Sequence, residues 1–437
     1  MKNEAIEIIK KLRASGFKAY WAGGCVRDNL MNLIPKDYDI ATDALPEKVM
    51  GLFEKTIPLG VSFGVIKILS GGFEFEVATF RSDGKYLDGR HPEEVHFSSE
   101  REDACRRDFT INGMFYDPLE GKIIDYVGGR QDIKGKVIRT INDPKDRFSE
   151  DRLRLIRAIR FAAKFQYEIE PQTYQAIEEM ASTVNQVSPE RIREELEKML
   201  TGPRPADSIR LLDKVGLLKI ILPEITAMKG VEQPEIFHPE GDVWVHTLLM
   251  LEKLKNPSFE LAMGALLHDV GKPSTFTRED RIRFNHHCEV GAQMTEQIGK
   301  RLRLSNKQID FITELVRYHL RFKDVQKMRE STLKRFLRLP NFSDHLELHR
   351  MDCLASHGKL ANWEFCKQKL CDLKPEEIRP EPLISGHDLM KMGYKAGPIF
   401  KKILTKTEDA HLEGEIQNRE EALRFVKENF PIKHSPN

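Results

Sequence analysis

Ala22-Gly23-Gly24-Cys25-Val26-Arg27-Asp28, followed by Asp37-Tyr38-Asp39, is the stretch on which the fold and the chemistry turn. Lys18–Ala22 ahead of it has extended character, and the two glycines turn the chain into a helical run ending near Leu33. Glycines between a strand and a helix let backbone amides approach an anion, and the helix N-terminus adds a favourable dipole. Alone, such a pair is ordinary turn chemistry. The second half changes its meaning. On a strand, Asp37 and Asp39 project from one face. Two like charges side by side are costly unless a cation neutralises them, and magnesium prefers carboxylate oxygens together with substrate phosphates. A bare Asp-x-Asp is most simply a solvated acidic edge; with Gly24 and Arg27 at this spacing it reads as a metal site. Two metals held this way can activate a 3′-hydroxyl and stabilise a leaving pyrophosphate oxygen, which is nucleotidyl transfer. Glu76 or Glu74 is the candidate for a third carboxylate.

Outward from this stretch, Asp37–Ala41 and Gly64–Leu69 have strand character, and Phe73–Thr79 alternates with Phe73, Phe75 and Val77 on one face and Glu74 and Glu76 on the other. Gly71-Gly72 fits the hairpin turn before it. Residues 1 to about 140 are therefore an α/β head with a mixed sheet. From about 150 the apolar spacing becomes helical, with runs at 171–184, 189–200, 205–216, 243–256, 259–268, 288–301 and 305–319 punctuated by Pro and Gly. No β alternation is evident after about 140. The expected organisation is a head (1–140) followed by three helical regions, a neck (141–235), a body (236–360) and a tail (361–437).

The chain has 437 residues, with 69 Lys and Arg against 68 Asp and Glu, a formal charge of +1. That length suggests several domains, and its 24 Phe exclude disorder as the main state. The near-neutral total argues against an RNA binder only if the charges are evenly spread. They are not: residues 300–338 hold twelve basic side chains against four acidic ones, a net of +8. This is either a solvated face or a phosphate track for an RNA duplex. The N-terminus reads as an amphipathic surface helix, no run is long enough to span a membrane, and the six cysteines show no paired spacing. A reduced, soluble, cytoplasmic protein is expected.

Gly23-Gly24-Cys25-Val26-Arg27-Asp28 with Asp37-Tyr38-Asp39-Ile40-Ala41-Thr42 resembles the opening motif of the class II tRNA nucleotidyltransferases and bacterial poly(A) polymerases. Arg106-Arg107-Asp108-Phe109-Thr110-Ile111-Asn112-Gly113 is similar to that family's RRDFTxNA motif, with Gly113 where Ala is common. Arg107 suits a triphosphate clamp and Asp108 a ribose hydroxyl. In Glu150-Asp151-Arg152-Leu153-Arg154, Asp151, Arg154 and Arg157 are three apart and line one helix face, continued by Arg160. A carboxylate there accepts from the exocyclic amine of cytosine or adenine, and a neighbouring Arg donates to ring acceptors; uracil and guanine present an oxygen instead. The resemblance to the EDxxR motif implies that Asp151 and Arg154 read the base and that Arg157 and Arg160 contact phosphate or ribose. Arg81–Pro92 looks like the family's flexible loop, which is short in members that add only CC. Ser188-Pro189 resembles the entry of a neck helix, with Ser188 as N-cap.

Nine of the fourteen histidines fall between 238 and 357. His246, His268, Asp269, His287, His319 and Asp352 form an ordered set suited to one or two first-row divalent ions. His268-Asp269 closes an apolar helix as in the HD phosphohydrolase superfamily, and His287 fits its spacing better than His286. His387-Asp388 lacks companions and reads as a helix start. The resemblance implies template-independent addition of C and A to the 3′ end of tRNA from CTP and ATP, using magnesium at Asp37 and Asp39. The acceptor arm is the RNA ligand, and phosphoester hydrolysis at the HD site is a further possibility. An A-adding enzyme, a poly(A) polymerase, or an HD metal phosphohydrolase with a nucleotide-binding head are the alternatives.

Overall fold

The computed structural model describes residues 1–60, 63–84, 95–236 and 238–432. The head carries β1 (Ala19–Ala22), β2 (Ile40–Thr42), β3 (Thr56–Gly60), β4 (Val65–Ser70), β5 (Phe73–Thr79), β6 (Arg81–Asp83), β7 (Val95–Phe97), β8 (Met114–Asp117) and β9 (Lys122–Asp125). Seven of them form a mixed sheet in the order β3-β4-β5-β2-β1-β8-β9. β2 runs parallel to β5, while β1 is antiparallel to both β2 and β8. The residue alternation of β1 explains why the sheet is covered on both faces. Ala19 and Trp21 join a core with Ile8, Ile9 and Leu12 of the Lys2–Ala14 helix. Tyr20 and Ala22 face the other way, onto Phe80, Ala104 and Phe115. Gly71 and Gly72 both take positive φ, +57° and +80°, as a tight hairpin between β4 and β5 requires.

After β9 the chain is mainly helical. Val137–Ile138 and Glu168–Ile169 make a short parallel pair, and Phe276–Arg278 with Ile282–Phe284 a small hairpin. Glu168–Ile169 and the small hairpin fall after about 140, where no β alternation is evident in the sequence, because segments of two and three residues are too short to carry a period-two signal. The Pro189–Leu200 helix has Ser188 as N-cap and Pro at its first turn, and Gly386–Lys391 starts from a capping box of Ser385 with Asp388. Residues 85–94, most of the expected flexible loop, lie outside the described residues.

The chain divides into two compact units, Met1–Ala227 with Ile298–Leu304, and Met228–Gln297 with Ser305–Asn437. The second unit has its own apolar cores. Phe322, Phe336 and Phe342 anchor one, and Ile403, Ala422 and Val426 another within the last helices. No helix among the described residues is long and apolar enough to cross a membrane.

Candidate active site and metal centre

In the first unit a cleft of about 480 Å³ gathers Gly23, Gly24, Arg27, Asp37, Asp39, Arg107, Asp108, Asp151, Arg154, Arg157 and Arg160. The structure thus brings together every residue expected for nucleotide binding. Gly23 ends β1 and opens the Gly24–Leu30 helix with φ +69° and ψ −125°, a conformation that only glycine takes cheaply. A Cβ on Gly23 would stand 2.8 Å from Arg107 Nη1. Replacing Gly23 by Ala therefore strains the backbone by about 1–3 kcal/mol and displaces Arg107. The expected result is a lower melting temperature, read by thermal unfolding, together with weaker binding of an anionic ligand in the cleft because Arg107 is displaced.

Asp37 and Asp39 sit just ahead of β2 rather than within it, which corrects the expected strand placement. The alternation survives because this segment is still extended: Ala22 N–H donates to Asp39 C=O at 2.9 Å, and Tyr38 between the two acids packs on Trp21. The parallel register pairs Ile40 with Val77, which places Glu76 one step back beside Asp39. Glu74 instead pairs with Lys67 at 2.7 Å. Burial, then the Asp37 and Glu76 charges, raise the Asp39 pKa to about 6, with Arg107 opposing. An acidic cluster under this electrostatic load is a set of groups that could hold a divalent cation.

The arginines of the cleft are held by the chain's own acids. Arg107 binds Asp103 at 3.0 Å and Arg27 binds Asp28 at 2.6 Å. Asn112 links the two halves, accepting from Arg27 Nη1 at 2.6 Å and donating to Asp108 Oδ1 at 3.0 Å. Arg157 donates to Asp108 Oδ2 through Nε and Nη2, at 2.9 and 2.6 Å. Burial works to raise the Asp108 pKa, but the Arg157 charge and its bonds prevail and hold it near 2. Arg160 bonds Glu195, which is only 1% exposed and also lies against Arg157.

Asp151 departs from the expected geometry. It stands in extended conformation between the Pro144–Glu150 and Leu153–Phe165 helices and caps the second by accepting from Leu153 N–H. It is therefore off the helix face that Arg154, Arg157 and Arg160 occupy, although it lines the same cleft. Arg154 Nη1 donates to Arg147 C=O and Glu150, and Nη2 to Arg106 C=O, leaving two of its five N–H groups for a ligand. Gly113 also has a local reason: a Cβ there would lie 2.8 Å from both Ile141 and Val127 side chains.

In the second unit His246, His268, Asp269, His287, His319 and Asp352 come together. Asp269 Oδ2 lies 3.0 Å from His268 Nε2, and Asp269 Oδ1 lies 3.6 Å from both His287 Nε2 and His319 Nε2. His246 Nε2 is 3.1 Å from Asp352 Oδ1. Three rings are fixed from behind through Nδ1, on the carbonyls of Ala265, Phe284 and Val316, and His246 Nδ1 faces Glu240. This leaves His319 Nε2 and Asp269 Oδ1 buried and without hydrogen-bond partners, while Nε2 of His246 and of His268 lie against Asp352 and Asp269. Imidazoles anchored at one nitrogen with the other turned to a common centre are the donor arrangement of a divalent metal site. Burial pushes His319 down to about 3, so its imidazole is neutral and ready to donate a lone pair. Burial also acts to lower His246, but Asp352 and Glu240 outweigh it and raise it to about 9.

Several partners carried no recognised signal. Arg191 and Glu195 are remote in sequence from Asp151 and Arg160, the groups they hold, whereas Glu240 lies six residues before His246. Lys272, buried and 2.6 Å from Asp269, stands three residues after it and was readable as a helix-turn neighbour. In the basic stretch, Arg335 and Arg338 bind Glu408, Lys334 donates to Leu412 C=O and Arg301 binds Glu224. At least a third of those twelve cations are thus engaged by the protein itself.

Three family models match the chain: "Poly A polymerase head domain" over residues 19–139, "Probable RNA and SrmB- binding site of polymerase A" over 166–229 and "HD domain" over 242–348. The CCA-adding enzyme of Geobacillus stearothermophilus is 45% identical over 427 residues, covering 96% of this chain and 95% of that protein. The CCA-adding enzyme of Geobacillus sp. (strain WCH70) is 32% identical, also covering 96% and 95%. Among solved structures, the Bacillus stearothermophilus CCA-adding enzyme in complex with CTP aligns with TM-score 0.76 at 29% identity, over 98% of this chain and 97% of that one. The Thermotoga maritima CCA-adding enzyme complexed with tRNA shares the fold at TM-score 0.58 and 21% identity, over 97% and 94%. By its motifs, its fold and these relatives, the chain belongs to the CCA-adding enzymes, a family of nucleotidyltransferases.

Proposed function

We propose that the chain completes the 3′ end of tRNA by adding C and A from CTP and ATP, one nucleotide at a time and without a template. The observation that carries this is the meeting, in one cleft, of the acidic cluster, the arginines and Asp151. Asp37 and Asp39 would hold magnesium, with Glu76, beside Asp39, as the third carboxylate in preference to Glu74. Bound there, the divalent cation neutralises the 3′-hydroxyl's developing charge and that of the triphosphate. The Gly23-Gly24 turn lets the triphosphate approach the backbone, Arg27 and Arg107 bind its oxygens, and Asp108 orients the ribose. Arg157 and Arg160 complete the phosphate and ribose side. Asp151 accepts from the amine of cytosine or adenine and Arg154 donates to the ring. The tRNA 3′-oxygen then attacks the α-phosphorus in line, the bond to the β-phosphate oxygen breaks and pyrophosphate leaves.

The test is addition of labelled CTP and ATP to tRNA ending in the discriminator base, in C or in CC. CTP should enter the first two and ATP the third. Absence of CTP incorporation on all three would overturn the reading in favour of an A-adding enzyme or a poly(A) polymerase. A cytoplasmic location follows from the tRNA substrate.

The buried donor atoms around Asp269 support a second activity. His246, His268, Asp269, His287, His319 and Asp352 would hold one or two divalent transition-metal ions, and phosphoester hydrolysis is the chemistry such a centre supplies.

A further inference from the structure

The base-reading carboxylate is gripped from a different helix. Arg191, on the first turn of the Pro189–Leu200 helix, donates from Nη1 to Asp151 Oδ1 at 3.0 Å and from Nη2 to Asp151 Oδ2 at 2.7 Å. This is a bidentate fork, the geometry that fixes a carboxylate in orientation as well as in place. Leu153 N–H takes a second site on Oδ1 at 3.1 Å. With two bonds Oδ1 is filled, whereas Oδ2 has one and keeps a lone pair for a ligand. A single acceptor of fixed direction therefore remains.

Arg191 can hold that direction because its helix is itself fixed. Ile192, Leu196, Met199 and Leu200 bury its inner face. One turn on, Glu195 ties the same helix to Arg160 and Arg157.

We propose that Arg191 is a positioning residue for nucleotide choice: by holding both oxygens of Asp151, it stops that carboxylate turning away from a base that presents an oxygen. This rests on the reading of Asp151 as the base-reading group. Acceptance of C and A needs only one hydrogen bond from an amine. Rejection of U and G needs more, because a carboxylate free to rotate relieves its repulsion from O4 or O6 at little cost. Discrimination by repulsion works only when the repelling group cannot move.

The experiment uses the full-length enzyme with Arg191→Lys, Arg191→Gln and Asp151→Asn. The readouts are kcat/KM for CTP and UTP on tRNA ending in the discriminator base, and thermal melting. Lysine keeps the charge and loses the fork. Both Arg191 variants should lower the CTP/UTP discrimination by about tenfold or more, mainly through gained use of UTP, with CTP turnover falling far less. An equal loss for both nucleotides, leaving the ratio unchanged, is what a merely structural role gives and overturns the proposal. If Arg191→Gln melts too low to assay, Arg191→Lys decides. Asp151→Asn separates the two layers. If it leaves the ratio intact, the base-reading role of Asp151 fails. If it collapses the ratio while the Arg191 variants keep it, only the role of Arg191 fails.

Discussion

Asp39→Asn should abolish nucleotide addition and at the same time make the metal-free protein more stable. The loss of activity is expected to exceed a thousandfold, about 4 kcal/mol, since in the proposed function this carboxylate would hold the metal at the reaction centre. The gain in stability comes from the charge cluster. Burial and the neighbouring Asp37 and Glu76 raise the Asp39 pKa from 3.8 to about 6. At pH 7 the folded chain must keep this carboxylate ionised, at a cost on the order of 2–3 kcal/mol. Between roughly pH 4 and pH 6 the native state binds more protons at this site than the unfolded one, so stability falls as the pH rises through that window. Asparagine removes this slope. Melting curves from pH 4.5 to 7.5, with and without magnesium, check it. Magnesium should raise the melting temperature of the wild type more at pH 7.5 than at pH 5, and should do little for Asp39→Asn. A variant that melts lower than the wild type throughout, or that retains addition, contradicts the assignment.

The second large effect lies in the other unit. His268→Ala and Asp269→Ala should both strip a bound divalent metal, measured by elemental analysis of the purified protein, and both should leave CTP addition in place. Their stabilities should differ sharply. His268→Ala removes one ring. Asp269→Ala leaves the ammonium of Lys272, itself only 5% exposed and 2.6 Å from the lost carboxylate, without its counter-ion. Breaking a buried pair from one side costs about 3–5 kcal/mol. Metal at a hundred times its dissociation constant should stabilise the wild type by about 2.7 kcal/mol and neither variant. Equal stability of the two variants would show that Lys272 finds another partner, and wild-type metal content in both would sink the ligand assignment.

Both sites were legible in outline because their chemistry is written in short, dense motifs. Gly23-Gly24, Asp37 and Asp39 announce themselves through residue types that are costly to place together without a ligand. The ordered histidines do the same. What the sequence concealed was the geometry of support. Asp151 looked like the first member of a helical row because Arg154 and Arg157 follow at threes, yet its side chain caps the helix that carries them. Arg191 lies forty positions beyond it, and no local periodicity relates residues at such a distance. Which of Glu74 and Glu76 lies beside Asp39 also needed the fold, since it follows from the parallel register of β2 on β5. Charge counting was misleading for a related reason: Arg335 and Arg338 add to the sum over residues 300–338 but spend their charge on Glu408.

The pairing of each cleft arginine with an acid of the chain bears on how the reaction ends. In the proposed function, Arg27, Arg107, Arg157 and Arg160 would meet a triphosphate in competition with Asp28, Asp103, Asp108 and Glu195, which hold them here. The cations have somewhere to return. On the proposed function, a pyrophosphate product would compete with those carboxylates for the same guanidinium groups. An enzyme that reloads with a fresh nucleotide on the same RNA end would gain turnover from such a self-neutralising cradle.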